Sequence, residues 1–102
     1  MRLTSFEKMN IVKLARDNFG ENVKVILFGS RTDDSRRGGD IDLLIIPYNE
    51  QDVLMLTQME LQLLASLKMA IGEQKIDILI KTRNNANSSF YQQAEQTGIP
   101  LC

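Results

Sequence analysis

Apolar residues at Phe6, Ile11, Leu14, Ala15 and Phe19 recur near helical period. Thr4 and Glu7 ahead of them have the spacing of a capping box, so the pattern predicts a helix over roughly residues 5 to 19, stopped by Gly20. Val23 to Phe28 is a β-branched and aromatic run closed by Gly29, which predicts a buried strand. The polar stretch from Gly29 to Gly39 reads as a loop or short helical turn. Asp40 to Ile46 (DIDLLII) then reads as a second strand, ended by Pro47. No breaker interrupts the chain from Asn49 or Asp52 to Ile71, and Gly72 follows, which predicts a long helix. Lys75 to Ile80 (KIDILI) is a third strand. Arg83 to Ser89 is loop-like, and Phe90 to Thr97 is a weak final helix with Gly98 as its stop. The predicted order is α-β-β-α-β-α, an α/β or α+β sandwich with a small mixed sheet and flanking helices.

The long helix carries two apolar stripes. Leu56, Leu63, Leu67 and Ala70 fall on one side, bordered by Val53, Leu64 and Ile71, and suffice for a core. Leu54, Leu61, Ala65 and Met69 fall opposite, where the surface helix of a monomer should be polar. That second stripe is expected to be an interface, with another copy or a helical partner, unless the tail from Phe90 to Leu101 folds back over it.

Composition adds bounds. At 102 residues the chain matches one domain, residues 1 to 102, with one core. Hydrophobic residues at 43% and charged residues at 25% exclude a disordered chain. Twelve Lys and Arg against 13 Asp and Glu leave no general field for a nucleic-acid backbone. The single cysteine, Cys102, excludes an internal disulfide and a cysteine metal site. No apolar run approaches a bilayer span and no signal-peptide core is present, so the expected location is the cytoplasm. Histidine is absent, which leaves carboxylates, hydroxyls and arginines to do any chemistry.

Asp40 and Asp42 sit two apart in a strand, so both side chains share one face with α-carbons about 7 Å apart. Leu44 and Ile46 continue that face, and a lone charge in such a row costs several kcal/mol. Asp77 repeats the anomaly within KIDILI. Three acids with no basic residue interleaved point to a bound cation, and hard oxygen ligands suit Mg²⁺ or Mn²⁺. Taken singly, each acid has a plainer explanation: a loop-end acid at 40, an ion pair of Asp42 with Arg36 or Arg37, an edge-strand charge at 77. Gly29 lets the backbone approach a ligand closely, and Ser30 adds a hydroxyl and an amide suited to phosphate oxygens. Arg31, Arg36 and Arg37 crowd the same loop, and guanidinium forks suit a triphosphate; a solvated loop paired with Asp33 and Asp34 is the alternative. Walker and dinucleotide glycine motifs are absent, and Arg37 spoils EF-hand spacing.

FGSR, then RRGGDIDLLI, then KIDILI resembles the Gly-Ser, Asp-x-Asp and third-acid pattern of minimal nucleotidyltransferases of the polymerase-beta superfamily. The ending GIPL resembles their usual tail, so nearly the whole chain fits. The resemblance implies the polymerase-beta-like nucleotidyltransferase fold and two metal ions, Mg²⁺ or Mn²⁺, held by Asp40, Asp42 and Asp77 with a bound NTP such as ATP. An acceptor hydroxyl would attack the α-phosphorus and pyrophosphate would leave. Gly29 and Ser30 would hold a β- or γ-phosphate; Arg31 and Arg37 are kept as nucleotide ligands on their own chemistry. Larger members add a domain for acceptor recognition, and none fits within these residues, so the acceptor is expected on a partner. Minimal domains of this kind resemble the antitoxin half of pairs whose other half is a helical HEPN protein, and some transfer AMP to that partner. Two readings follow: an AMP-transferring enzyme, and an antitoxin-like subunit that neutralises a HEPN ribonuclease by contact.

Overall fold

A computed structural model of the chain describes residues 3–29, 40–49, 51–72 and 74–102. The elements run α1 (Ser5–Phe19), β1 (Lys24–Phe28), β2 (Ile41–Ile46), α2 (Val53–Ile71), β3 (Ile76–Ile80), α3 (Ser89–Thr97) and β4 (Ile99–Pro100). Together they form a mixed α+β fold with one four-stranded sheet, ordered β3-β2-β1-β4. β1 runs antiparallel to β2 and to β4, while β2 and β3, joined through α2, run parallel.

The α1 boundaries follow from local chemistry. The Glu7 amide donates to Thr4 Oγ1 at 3.0 Å, and the Thr4 amide donates to Glu7 Oε1 at 2.9 Å, completing the capping box. Gly20, at φ 99°, ends the helix. α2 starts the same way, with the Met55 amide donating to Asp52 Oδ1 at 2.8 Å. Gln74 Nε2 donates to Glu7 Oε2 at 2.6 Å, which ties the chain beyond α2 to the first turn of α1.

Strand alternation divides the sheet into two faces. Val25, Leu27, Ile41, Leu43, Ile45, Ile76 and Ile80 pack with Ile11, Ala15 and Phe19 of α1 and Leu56, Leu63 and Leu67 of α2. On the other face Ile26 and Leu44 pack with Ala94 of α3, bordered by Phe28, Ile46, Leu79 and Tyr91. Both faces of β1 and β2 are covered, so residues 25–28 and 43–46 are continuous apolar runs, with Lys24 and Asp42 near the strand ends. Asp42 and Asp77 belong by parity to the α3 face.

Several sequence expectations need correction. Phe6 is 56% exposed: five residues before Ile11, it lies about 140° round the helix from the core stripe. Val53 opens α2 and is also exposed instead of bordering the core. β4 was not expected, because it is two residues long and Pro100 argues against a strand. Its place at the sheet edge removes the objection, since a proline there has no ladder bond to lose. The tail does not cover the second stripe of α2, because α3 packs on the opposite face of the sheet. Leu54, Leu61 and Met69 are 69%, 59% and 90% exposed. No helix among the described residues is long and apolar enough to cross a membrane.

Candidate active site

The parallel register sets Asp42 directly beside Asp77, and Asp40 and Lys75 immediately precede its first pair, Ile41 and Ile76. Across the antiparallel ladder Asp42 faces Phe28, the residue before Gly29. Asp40, Asp42, Asp77 and Gly29 are thereby brought to one end of the sheet. Ser30, Arg31, Arg36 and Arg37 lie outside the described residues.

Gly29 has φ 79°, a left-handed conformation that side chains resist. A Cβ built there would stand 2.3 Å from Asp42 Oδ2. The bare glycine therefore leaves room for the Asp42 carboxylate. This is a more specific demand than ending a strand.

Asp42 is half-buried and Asp77 is exposed. Burial pushes the Asp42 carboxyl above its usual range, the charges of Asp77 and then Asp40 push it further, and a hydrogen bond to Asp77 adds to this; Lys75 opposes them. Lys75 Nζ lies 3.4 Å from Asp40 Oδ2. That pair corrects the expectation that no basic residue stands among the acids. The signal was available: Lys75 precedes Asp77 by two, so it shares the face of Asp77.

Among the described residues no group of three acids is gathered in metal-holding geometry. Asp40 is directed to Lys75, and Asp42 to Asp77. The donor set nevertheless suits a hard divalent cation: oxygen ligands and an excess of negative charge, which a bound cation would relieve. The expectation that Asp77 is an edge-strand charge also matches its position, since β3 is an outer strand, and the two descriptions are compatible.

The family model described as Polymerase beta, Nucleotidyltransferase matches residues 9–102. The chain belongs to this family of nucleotidyltransferases, whose members typically depend on a divalent metal. No curated protein is similar enough to the chain to count as a match.

Proposed function

We propose that the protein transfers a nucleoside monophosphate, AMP from ATP, to a hydroxyl on a partner protein and releases pyrophosphate. The observation that carries this reading is the pairing of Asp42 beside Asp77 on parallel strands, with Gly29 kept free of a side chain against them. Asp40, Asp42 and Asp77 would hold Mg²⁺ or Mn²⁺, which when bound neutralises phosphate charge and acidifies the attacking hydroxyl. Asp77, which is exposed, would help take the proton of that hydroxyl. The acceptor oxygen forms its bond to the α-phosphorus as the bond to the bridging oxygen breaks, and the electron pair leaves with pyrophosphate. Gly29 lets the backbone approach a phosphate, and Ser30, Arg31 and Arg37 are assigned the remaining phosphate contacts. A HEPN-type helical protein is the partner that the family resemblance suggests, and the cytoplasm its setting.

Calorimetric titration of ATP tests the site. Binding is expected with Mg²⁺ and not with EDTA, because the acids and a bare triphosphate repel each other; equal affinity in both conditions sinks the reading. The uncovered apolar stripe of α2 favours a second reading, an antitoxin-like subunit that neutralises a HEPN ribonuclease by contact. Asp42→Asn separates the two. It should abolish transfer by the enzyme, yet leave contact neutralisation intact.

A further inference from the structure

Asp42 and Asp77 are partners in the β2–β3 register, and Asp40 and Lys75 each stand two residues earlier on their own stretch of chain. The Ile41 amide donates to the Lys75 carbonyl at 3.0 Å, which fixes the Lys75 backbone beside the entry to β2. From there its ammonium reaches Asp40, with Nζ 3.4 Å from Oδ2. A cation of the protein's own thus stands among the three carboxylates assigned to the metal. Its charge is felt beyond its partner, because it also favours the ionised form of Asp42.

The pair is built to be exchanged. The Lys75 side chain is 71% exposed and that of Asp40 39%, and water and salt screen an ion pair so placed until it stabilises little. A lysine ammonium is compact, well hydrated and carried on a flexible stem, so returning it to water costs little. A divalent ion has the stronger claim on Asp40, since it carries twice the charge and takes oxygens from several carboxylates at once. The ammonium and the metal cannot both hold Asp40 without repelling each other. With Asp40 turned to Lys75, no three acids among the described residues stand in metal-holding geometry.

We propose that Lys75 is a positioning residue of the metal site: it is the resident counter-cation of Asp40, holds that carboxylate until a divalent ion displaces the ammonium, and so weakens metal binding by the nucleotide-free protein. The proposal rests on the metal site of the function proposed above and adds to it the residue that the metal must displace. Its mark is competition at one carboxylate. Removing the ammonium frees Asp40 and removes a repulsion, whereas an arginine in its place keeps both obstacles.

Titration of the full, nucleotide-free chain with Mn²⁺ alone, with the free ion read by electron paramagnetic resonance, tests this. Lys75→Gln should bind Mn²⁺ at least about fivefold more tightly than the parent, the effect of losing one close opposing charge and one exposed ion pair. Lys75→Arg should bind as the parent does. Lys24 stands at the opposite end of the β1–β2 ladder from Asp42, so Lys24→Gln removes the same charge at a screened distance and should change the affinity by less than about twofold. Both lysines are exposed, and the variants should melt with the parent in EDTA. Equal Mn²⁺ affinity in the parent and Lys75→Gln overturns the proposal and leaves the metal site standing, as does a gain that Lys24→Gln reproduces. If neither the parent nor any variant binds Mn²⁺, with ATP or without it, the metal site falls too.

Discussion

Asp42 keeps its proton more tightly than a free aspartate because ionising it strands a charge in a half-buried position beside Asp77 and Asp40. Its folded pKa lies above the unfolded one, so the folded state binds more protons between the two values. Stability must then fall as pH rises from the ordinary carboxylate value of 3.8 through the raised one. Metal-free Asp42→Asn should lack that loss and melt at or above the parent at neutral pH, while the advantage vanishes in acid. Melting curves of both proteins in EDTA across pH check this; a variant that melts well below the parent at neutral pH would mean that Asp42 serves a structural pair. Gly29→Ala acts on the same carboxylate. Its methyl meets Asp42 Oδ2 and its φ is unfavourable, so we expect a loss of about 1–2 kcal/mol of stability together with a displaced carboxylate. The same variant should weaken Mg²⁺-dependent ATP binding by at least about tenfold, roughly 1.4 kcal/mol. Calorimetry and melting together separate the two effects. The acids were legible in the sequence because a charge at period two in an apolar run is costly without a function. The closeness of Gly29 to Asp42 was not legible, since it depends on the antiparallel register between β1 and β2.

The elements announced themselves where caps and breakers agree with periodicity. α1 and α2 begin at Thr4 and Asp52 and end at Gly20 and Gly72, as the capping residues and glycines require. Periodicity alone misplaced Phe6, which lies round the helix from the core stripe, and Val53, the first residue of α2; both are exposed. α3 is held less by its own sequence than by what it touches. Lys81 at the end of β3 pairs with Glu95, and Phe28 meets Phe90 edge-on with ring centres 6.0 Å apart. Gly98 closes that element against β1 in a backbone conformation open to any residue, so its demand is one of space. A Cβ there would meet Ile26 Cγ2 at 2.4 Å and the carbonyl oxygens of Ala94 and Leu27 at 2.6 and 2.8 Å. Two of those three neighbours are backbone and cannot turn aside. Gly98→Ala should therefore cost roughly 1–3 kcal/mol. For a chain of this size that lowers Tm by about 4–8 °C per kcal/mol. A variant that melts with the parent would show that α3 and β4 shift freely against β1.

Sheet order is a property of the whole molecule that no local pattern dictates. The sequence marked three strands and left open which of them are neighbours. The crossover through α2 decides it, placing β3 parallel to β2 and so bringing Asp77 to Asp42 and Lys75 to Asp40. The same arrangement spends α1 and α2 on one face of the sheet and α3 on the other, leaving the outer stripe of α2 to solvent in the single chain. Leu61 and Leu63 measure the consequence. They are two residues apart, about 200° round the helix, with Leu63 fully buried and Leu61 59% exposed. Leu63→Ala should lose roughly 2–5 kcal/mol through the cavity it leaves. Leu61→Glu should change stability by no more than about 0.5 kcal/mol, because its side chain already meets water. Thermal melting of the two variants beside the parent reads the difference directly. If Leu61→Glu melts as low as Leu63→Ala, the outer stripe belongs to the core and leaves no apolar face for a partner to cover. If it melts with the parent, the outer stripe of α2 is free of the core and available to a partner.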